Sequence, residues 1–236
     1  MPGSSDQLRT RTRSEDVTVP YPAGHQQEVP AVPSPSVEAR AVRTENVRAD
    51  VTVAGGGLAG VCAAIAAARQ GATVSLIQNR PMLGGNSSSE VRVWVCGATA
   101  HGAQQYARET GIMGELWLEN QFTNPDGNPY YWDLVVLEAV NAEPNITLYL
   151  NTEVLEATAH DDGDHRVIDS LTGWMIGSER RISFTSETFI DCTGDGLVGH
   201  LAGAEYRTGR ERRGDFNESW APPGARPPTQ GSPHHV

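Results

Sequence analysis

The chain has 236 residues, a formal net charge of -11 and an isoelectric point near 5.0. Such a length suffices for one domain with a real core, and the acidic balance argues against nonspecific nucleic-acid or membrane-surface partners. Its basic residues are all Arg, and Cys62, Cys96 and Cys192 lie too far apart for a zinc site, an iron–sulfur site or a disulfide framework, so no metal is expected.

Residues 1 to 47 are rich in Pro, Ser, Arg and Glu without sustained periodicity, which reads as a disordered leader. The N-terminus lacks the apolar core of a signal peptide, and no run is apolar enough to span a membrane. A cytoplasmic setting is the expectation. The main domain is expected over 48–206. It opens with Val51-Thr-Val-Ala54, a short apolar run with β-branched residues, as a buried parallel strand needs. Gly55-Gly-Gly57-Leu-Ala-Gly60 follows at once, then an alanine-rich helix from Leu58 to about Gln70. Gly71 ends that helix, and Thr73–Ile77 reads as the next strand. Residues Glu109–Gln121 and Tyr131–Ala142 carry helical periodicity around the turn Asn124-Pro-Asp-Gly-Asn-Pro129.

A β-rich stretch comes next. Strands are expected at Ile146–Leu150, Val154–Ala159, Val167–Leu171, Trp174–Ile176 and Ile182–Thr185, with a hairpin turn at Asp161-Asp-Gly-Asp. Thr188-Phe-Ile-Asp-Cys192 is a further strand, leading through Thr193-Gly-Asp-Gly196 into a helix that ends by Ala204. Residues 207–236 form a polar, Pro-rich tail.

Three segments carry chemistry. In the first, Gly55 permits a tight turn, Gly57 lets backbone approach a pyrophosphate, and Gly60 lets helix and strand pack closely. The helix beginning at Leu58 and Ala59 aims free N–H groups and its positive dipole end at that phosphate. Strand-before and helix-after context makes this GxGxxG informative, and a glycine turn that binds nothing is the bland alternative. An acidic residue is usual at the end of the second strand, to take a ribose hydroxyl. This chain has Gln78, Asn79 and Arg80 there; an amide oxygen also accepts, whereas Arg80 suits a 2′-phosphate. In the second segment, Arg80-Pro-Met-Leu-Gly-Gly-Asn-Ser-Ser-Ser-Glu90, Gly84 and Gly85 would let backbone lie against a long cofactor, with Asn86 and Ser87 as hydrogen-bonding neighbours. An ordinary turn is the alternative. In the third, Thr193, Gly194 and Asp195 stand at the carboxyl edge of the sheet, where open α/β sheets bind ligands; Asp195 as a simple helix cap is the alternative.

Taken together, the order GxGxxG, Arg-Pro-x-Leu-Gly-Gly-Asn and Ile-Asp-x-Thr-Gly-Asp-Gly resembles the FAD-dependent oxidoreductases of the glutathione-reductase-like Rossmann superfamily. Arg108-Glu-Thr-Gly111 and the segment from Gly209 to Ser219 look like the same group. The resemblance implies an α/β fold, with a Rossmann-like FAD-binding parallel sheet and an inserted β-meander. It implies FAD, with Gly55, Gly57 and Gly60 at the pyrophosphate, Gln78 at the adenosine ribose with Arg80 nearby, and Gly84 to Ser87 beside the ribityl chain. Val154 would meet adenine through backbone groups, and Thr193 to Asp195 would close over the flavin end.

The implied activity is flavin-mediated redox of a small-molecule substrate. Cys96 has no cysteine partner in its stretch, so a dithiol mechanism is not expected, and a buried structural Cys is its plainer reading. His101 is the candidate acid–base residue, with a loop histidine as the alternative. The tail does not look like the family. The chain is therefore expected to have an incomplete C-terminal portion, as a truncated piece or a subunit completed by a second polypeptide. An NAD(P)-binding module is a further alternative.

Overall fold

In a computed structural model of the chain, residues 42–96 and 107–224 are described. Four short strands, β2 (Val51–Ala54), β3 (Val74–Ile77), β4 (Ile146–Tyr149) and β8 (Thr188–Asp191), form an all-parallel sheet in the order β4-β3-β2-β8. Parallel strands are buried on both faces, and β2 and β3 show it: Val53, Ala54, Leu76 and Ile77 are buried on alternating sides.

One side is covered by helices. Val53, Val74 and Leu76 pack against α1 (Leu58–Arg69) and, beyond it, α2 (Gly111–Thr123) and α3 (Pro129–Asn141). Alanines along α1 let it sit close to the sheet, with Val61, Ala64 and Ile65 fully buried. Pro129 opens α3 at a position where its missing N–H costs nothing, and the Asn128 side chain accepts the Tyr130 N–H.

The other side is covered by a second sheet, ordered β1-β7-β6-β5, from β1 (Arg43–Arg48), β5 (Thr152–Asp162), β6 (His165–Met175) and β7 (Arg180–Thr185). Ala54 and Ile77 meet Val154, Leu171, Ile182 and Phe184 in a second core, where Tyr149 stands edge-on to Phe184 at 4.9 Å. Two short helices, α4 (Leu197–Ala202) and α5 (Arg213–Phe216), follow β8. The expected α/β class, with a Rossmann-like parallel sheet and an inserted meander, is what the chain folds into.

Two elements differ from the sequence reading. Arg43–Arg48 lies within the stretch read as leader, yet it pairs in parallel with β7, residue for residue from Arg43↔Arg180 to Arg48↔Thr185. Its sequence is polar, and only Val47 packs into the core; a Glu45–Arg180 ion pair of 2.8 Å joins the strands. The strands expected at Val167–Leu171 and Trp174–Ile176 are one strand, β6. Gly173 does not break it, because a side chain there would press on Phe184 and Thr152.

Candidate functional site

From β2 the chain steps outward to β3 and β4 on one side, and only after β7 does it return to place β8 on the other side of β2, so the strand order reverses between β2 and β8. Such a reversal opens a crevice at the carboxyl ends of the strands. Gly55 and residues 57–59 follow β2, 78–80 follow β3 and 192–195 follow β8; all line one cavity of about 910 Å³. That is near the upper end of the usual range for a cofactor or drug-sized ligand, roughly 300–1,000 Å³. Gly84 to Ser87 and Val154 complete the wall.

Of the sequence-expected cofactor residues, the cavity gathers Gly55, Gly57, Leu58, Ala59, Gln78, Asn79, Arg80, Gly84, Gly85, Asn86, Ser87, Val154, Thr193, Gly194 and Asp195. Gly60 is not among them. A Cβ on Gly60 would collide with the Gly55 carbonyl oxygen, so the close packing of helix on strand requires glycine there. Gly55 is similarly constrained: its φ is +102° and a Cβ would strike the Cys192 carbonyl. Gly57 is different. Its backbone is extended (φ −65°, ψ 176°), and an added Cβ would meet nothing within 4 Å. The first bond of the helix runs from Val61 N–H to Gly57 O at 2.9 Å, and no side chain caps the turn. The N–H groups of Leu58, Ala59 and Gly60 precede that bond and have no intrahelical acceptor.

Gln78 lines the cavity, and its amide is engaged within the protein. Its side chain is 5% exposed. Its Oε1 accepts the Gly56 N–H at 2.9 Å, and its Nε2 donates to the Met82 carbonyl at 3.0 Å. The amide thus ties the first glycine loop to the second. Gly84 N–H donates to Gly56 O at 2.9 Å, a second tie between the same loops. Arg80 meets Glu90 through two bonds of 2.8 Å, and that pairing raises the guanidinium pKa and lowers the carboxyl pKa. Its charge is therefore already matched. Ser87 Oγ is also engaged, donating to Gly84 O and accepting from Trp132 Nε1.

Val154 lines the cavity from the start of β5. Asn151 N–H donates to Arg80 O and Thr152 N–H to Gln78 O, which lays the start of β5 beside the end of β3. A bulge between Val154 and Glu156 interrupts the pairing with β6. Bulges of this kind re-aim backbone next to binding sites.

Asp191 and Cys192 were read as residues of the last strand and not as site residues. Asp191 Oδ1 accepts from Thr193 N–H and Thr193 Oγ1, and Oδ2 accepts from Gly199 N–H. Thr193 Oγ1 in turn accepts from Leu197 N–H. These bonds shape the third loop, so Asp195 does not cap α4 and stands exposed at the rim. The available signal was the Asp-x-Thr spacing, which favours local side-chain-to-backbone bonds. Cys192 lines the cavity, and burial, with Asp191 adding to it, pushes its thiol pKa up. Cys96 is exposed and does not line the cavity, against the expectation of a buried structural residue. His101 lies outside the described residues. Among the described residues no His, Cys, Asp and Glu group could hold a metal, and no helix is long and apolar enough to cross a membrane.

Residues 50–232 match the FAD dependent oxidoreductase family. No curated protein matches the chain. Among solved structures, L-proline dehydrogenase from P. horikoshii is 24% identical with a TM-score of 0.38, over 64% of this chain and 24% of that one. Adenylylsulfate reductase from Archaeoglobus fulgidus is 18% identical with a TM-score of 0.46, over 65% of this chain and 31% of that one. THI4 from Thermovibrio ammonificans is 16% identical with a TM-score of 0.48, over 75% and 76%. The match thus spans about a quarter to a third of the first two proteins.

Proposed function

Because the chain belongs to the FAD dependent oxidoreductase family, we propose that the cavity at the ends of β2, β3 and β8 binds FAD, in the service of redox chemistry on a small-molecule substrate. One observation carries this reading: three neighbouring parallel strands release three glycine-bearing segments into a single cavity. A dinucleotide module for NAD(P) alone accounts for the first segment and leaves the other two without a role. Arg80, the residue that would suit a 2′-phosphate, has its charge matched by Glu90.

The residues present fit such a group. Gly57 faces open cavity where any side chain would intrude, and the helix behind it offers N–H groups that a pyrophosphate can use. Asn79 and the backbone around Val154 offer polar contacts at one end, and Thr193 to Asp195 at the other. Bound flavin supplies the redox chemistry, while the protein supplies binding, orientation and electrostatics. Cys192 offers a thiol held neutral by burial rather than a ready nucleophile.

The test is direct. The purified full chain is incubated with FAD, passed through a desalting column and scanned. A flavin band near about 450 nm, with FAD released on denaturation, is the expected result. A colourless protein that instead retains NADPH overturns the reading.

A further inference from the structure

Beside the cofactor cavity lies a smaller one, of about 230 Å³, and Ser87, Val93, Trp94 and Val95 line both. The smaller cavity is walled mainly by Trp94, Trp117, Trp132, Pro129 and the two valines. Trp132 is 5% exposed and its one polar atom is satisfied by Ser87 Oγ at 3.0 Å, so it presents carbon to the space. An apolar cavity of about 150 Å³ takes benzene. A volume of 230 Å³ therefore suits one ring with a small substituent, and is too small for a dinucleotide.

Among the described residues, Arg92 is the only charged one on this lining. It is held in place at φ +63°, in the left-handed region, by Nε donating to Ser89 O at 2.9 Å and Nη2 donating to Tyr130 OH at 3.1 Å. Its guanidinium lies 5.7 Å from the centre of the Tyr130 ring. The acid closest in sequence, Glu90, pairs with Arg80, and among the described residues no carboxylate forms an ion pair with Arg92. Arg92 is itself exposed, so its guanidinium stands open to an anionic ligand. Guanidinium and carboxylate match in geometry as well as charge.

We propose that this cavity binds the substrate of the flavin reaction inferred above: a monocyclic aromatic acid, its ring among the tryptophans and its carboxylate on Arg92. The inference rests on that reading for the word substrate, and on the cavity for the ligand. The shared wall formed by Trp94 and Val95 sets the ring beside the cofactor cavity.

Benzoate, with its neutral counterpart benzamide as control, is titrated into the full chain while tryptophan fluorescence is followed. Benzoate gives a saturable change and binds about tenfold tighter than benzamide, the scale of one charge-assisted bond. Arg92→Gln removes that preference and leaves benzamide binding unchanged. Val93→Glu, at a position 56% exposed and therefore tolerant of substitution, places a like charge at the mouth and weakens benzoate alone. Absence of a saturable change, or equal binding of the two probes, overturns the proposal. FAD retention is read on the same samples. Chain that keeps FAD but ignores benzoate sinks the aromatic-acid site alone; chain that binds benzoate but rejects FAD sinks the cofactor reading, and with it the word substrate.

Discussion

The first and third loops of the cavity carry similar glycine-rich sequences but are built on opposite principles. In the loop after β2, the chain's own backbone demands the glycines: at Gly55 and Gly60 any side chain would collide with a carbonyl. In the loop after β8, Gly194 and Gly196 have positive φ but nothing within 4 Å of an added Cβ. Side chains hold that loop instead, with Asp191 and Thr193 supplying the bonds. A glycine motif therefore mixes two jobs, shaping the fold and making room for a ligand, and only the surroundings of each glycine separate them.

The largest expected effect tests the first job. Gly60→Ala forces a methyl group into the Gly55 carbonyl and should cost about 3 kcal/mol or more, as severe overpacking does. For a chain of this size that lowers Tm by roughly 6 °C or more; a thermal scan within a degree of wild type would show the packing to be looser than described. Gln78→Leu comes next. It strips the buried Gly56 N–H of its acceptor, at a cost of about 1–3 kcal/mol, read in the same way. If stability is untouched while FAD binding falls, the amide serves the ligand and not the loops.

Asp191→Ala should be milder, because its bonds lie near solvent. A loss of about 1 kcal/mol is expected, together with faster amide exchange at Gly199. Unchanged exchange there would mean that the glycines alone shape the third loop.

The smallest effect is chemical. Burial raises the thiol pKa of both Cys62 and Cys192, so alkylation by iodoacetamide near neutral pH should be slow at both and should quicken as pH rises. Added FAD should slow Cys192 further, since it lines the cavity, and leave Cys62 unchanged. Equal protection of the two, read by peptide mass spectrometry, would break the link between the third loop and the ligand.

Strands β2 and β3 were legible as short apolar runs on either side of a glycine turn and an alanine-rich helix, whereas β4 was expected as a strand of the β-rich stretch and instead extends the parallel sheet. Strand β1 was hidden because Arg43-Thr-Glu-Asn-Val-Arg48 pairs with residues far along the chain and buries little of its own. The cavity-forming segments were legible by residue type, but their side-chain directions were not. Nothing about Gln78 as a residue type shows that its oxygen takes the Gly56 N–H. Asp191 looks like one more strand residue until the loop folds back onto it. Arg80 and Glu90, ten residues apart, gave no sign in sequence of being partners.

Gly57 offers the most direct test, because there fold and ligand separate. Its extended backbone and open surroundings accept a Cβ without strain. Wild type and Gly57→Val, each incubated with FAD and desalted, should have the same Tm without cofactor. Wild type should keep the flavin band and Gly57→Val should lose it. Equal flavin in the two proteins would contradict the account, because the pyrophosphate would then lie somewhere other than against the loop that follows β2.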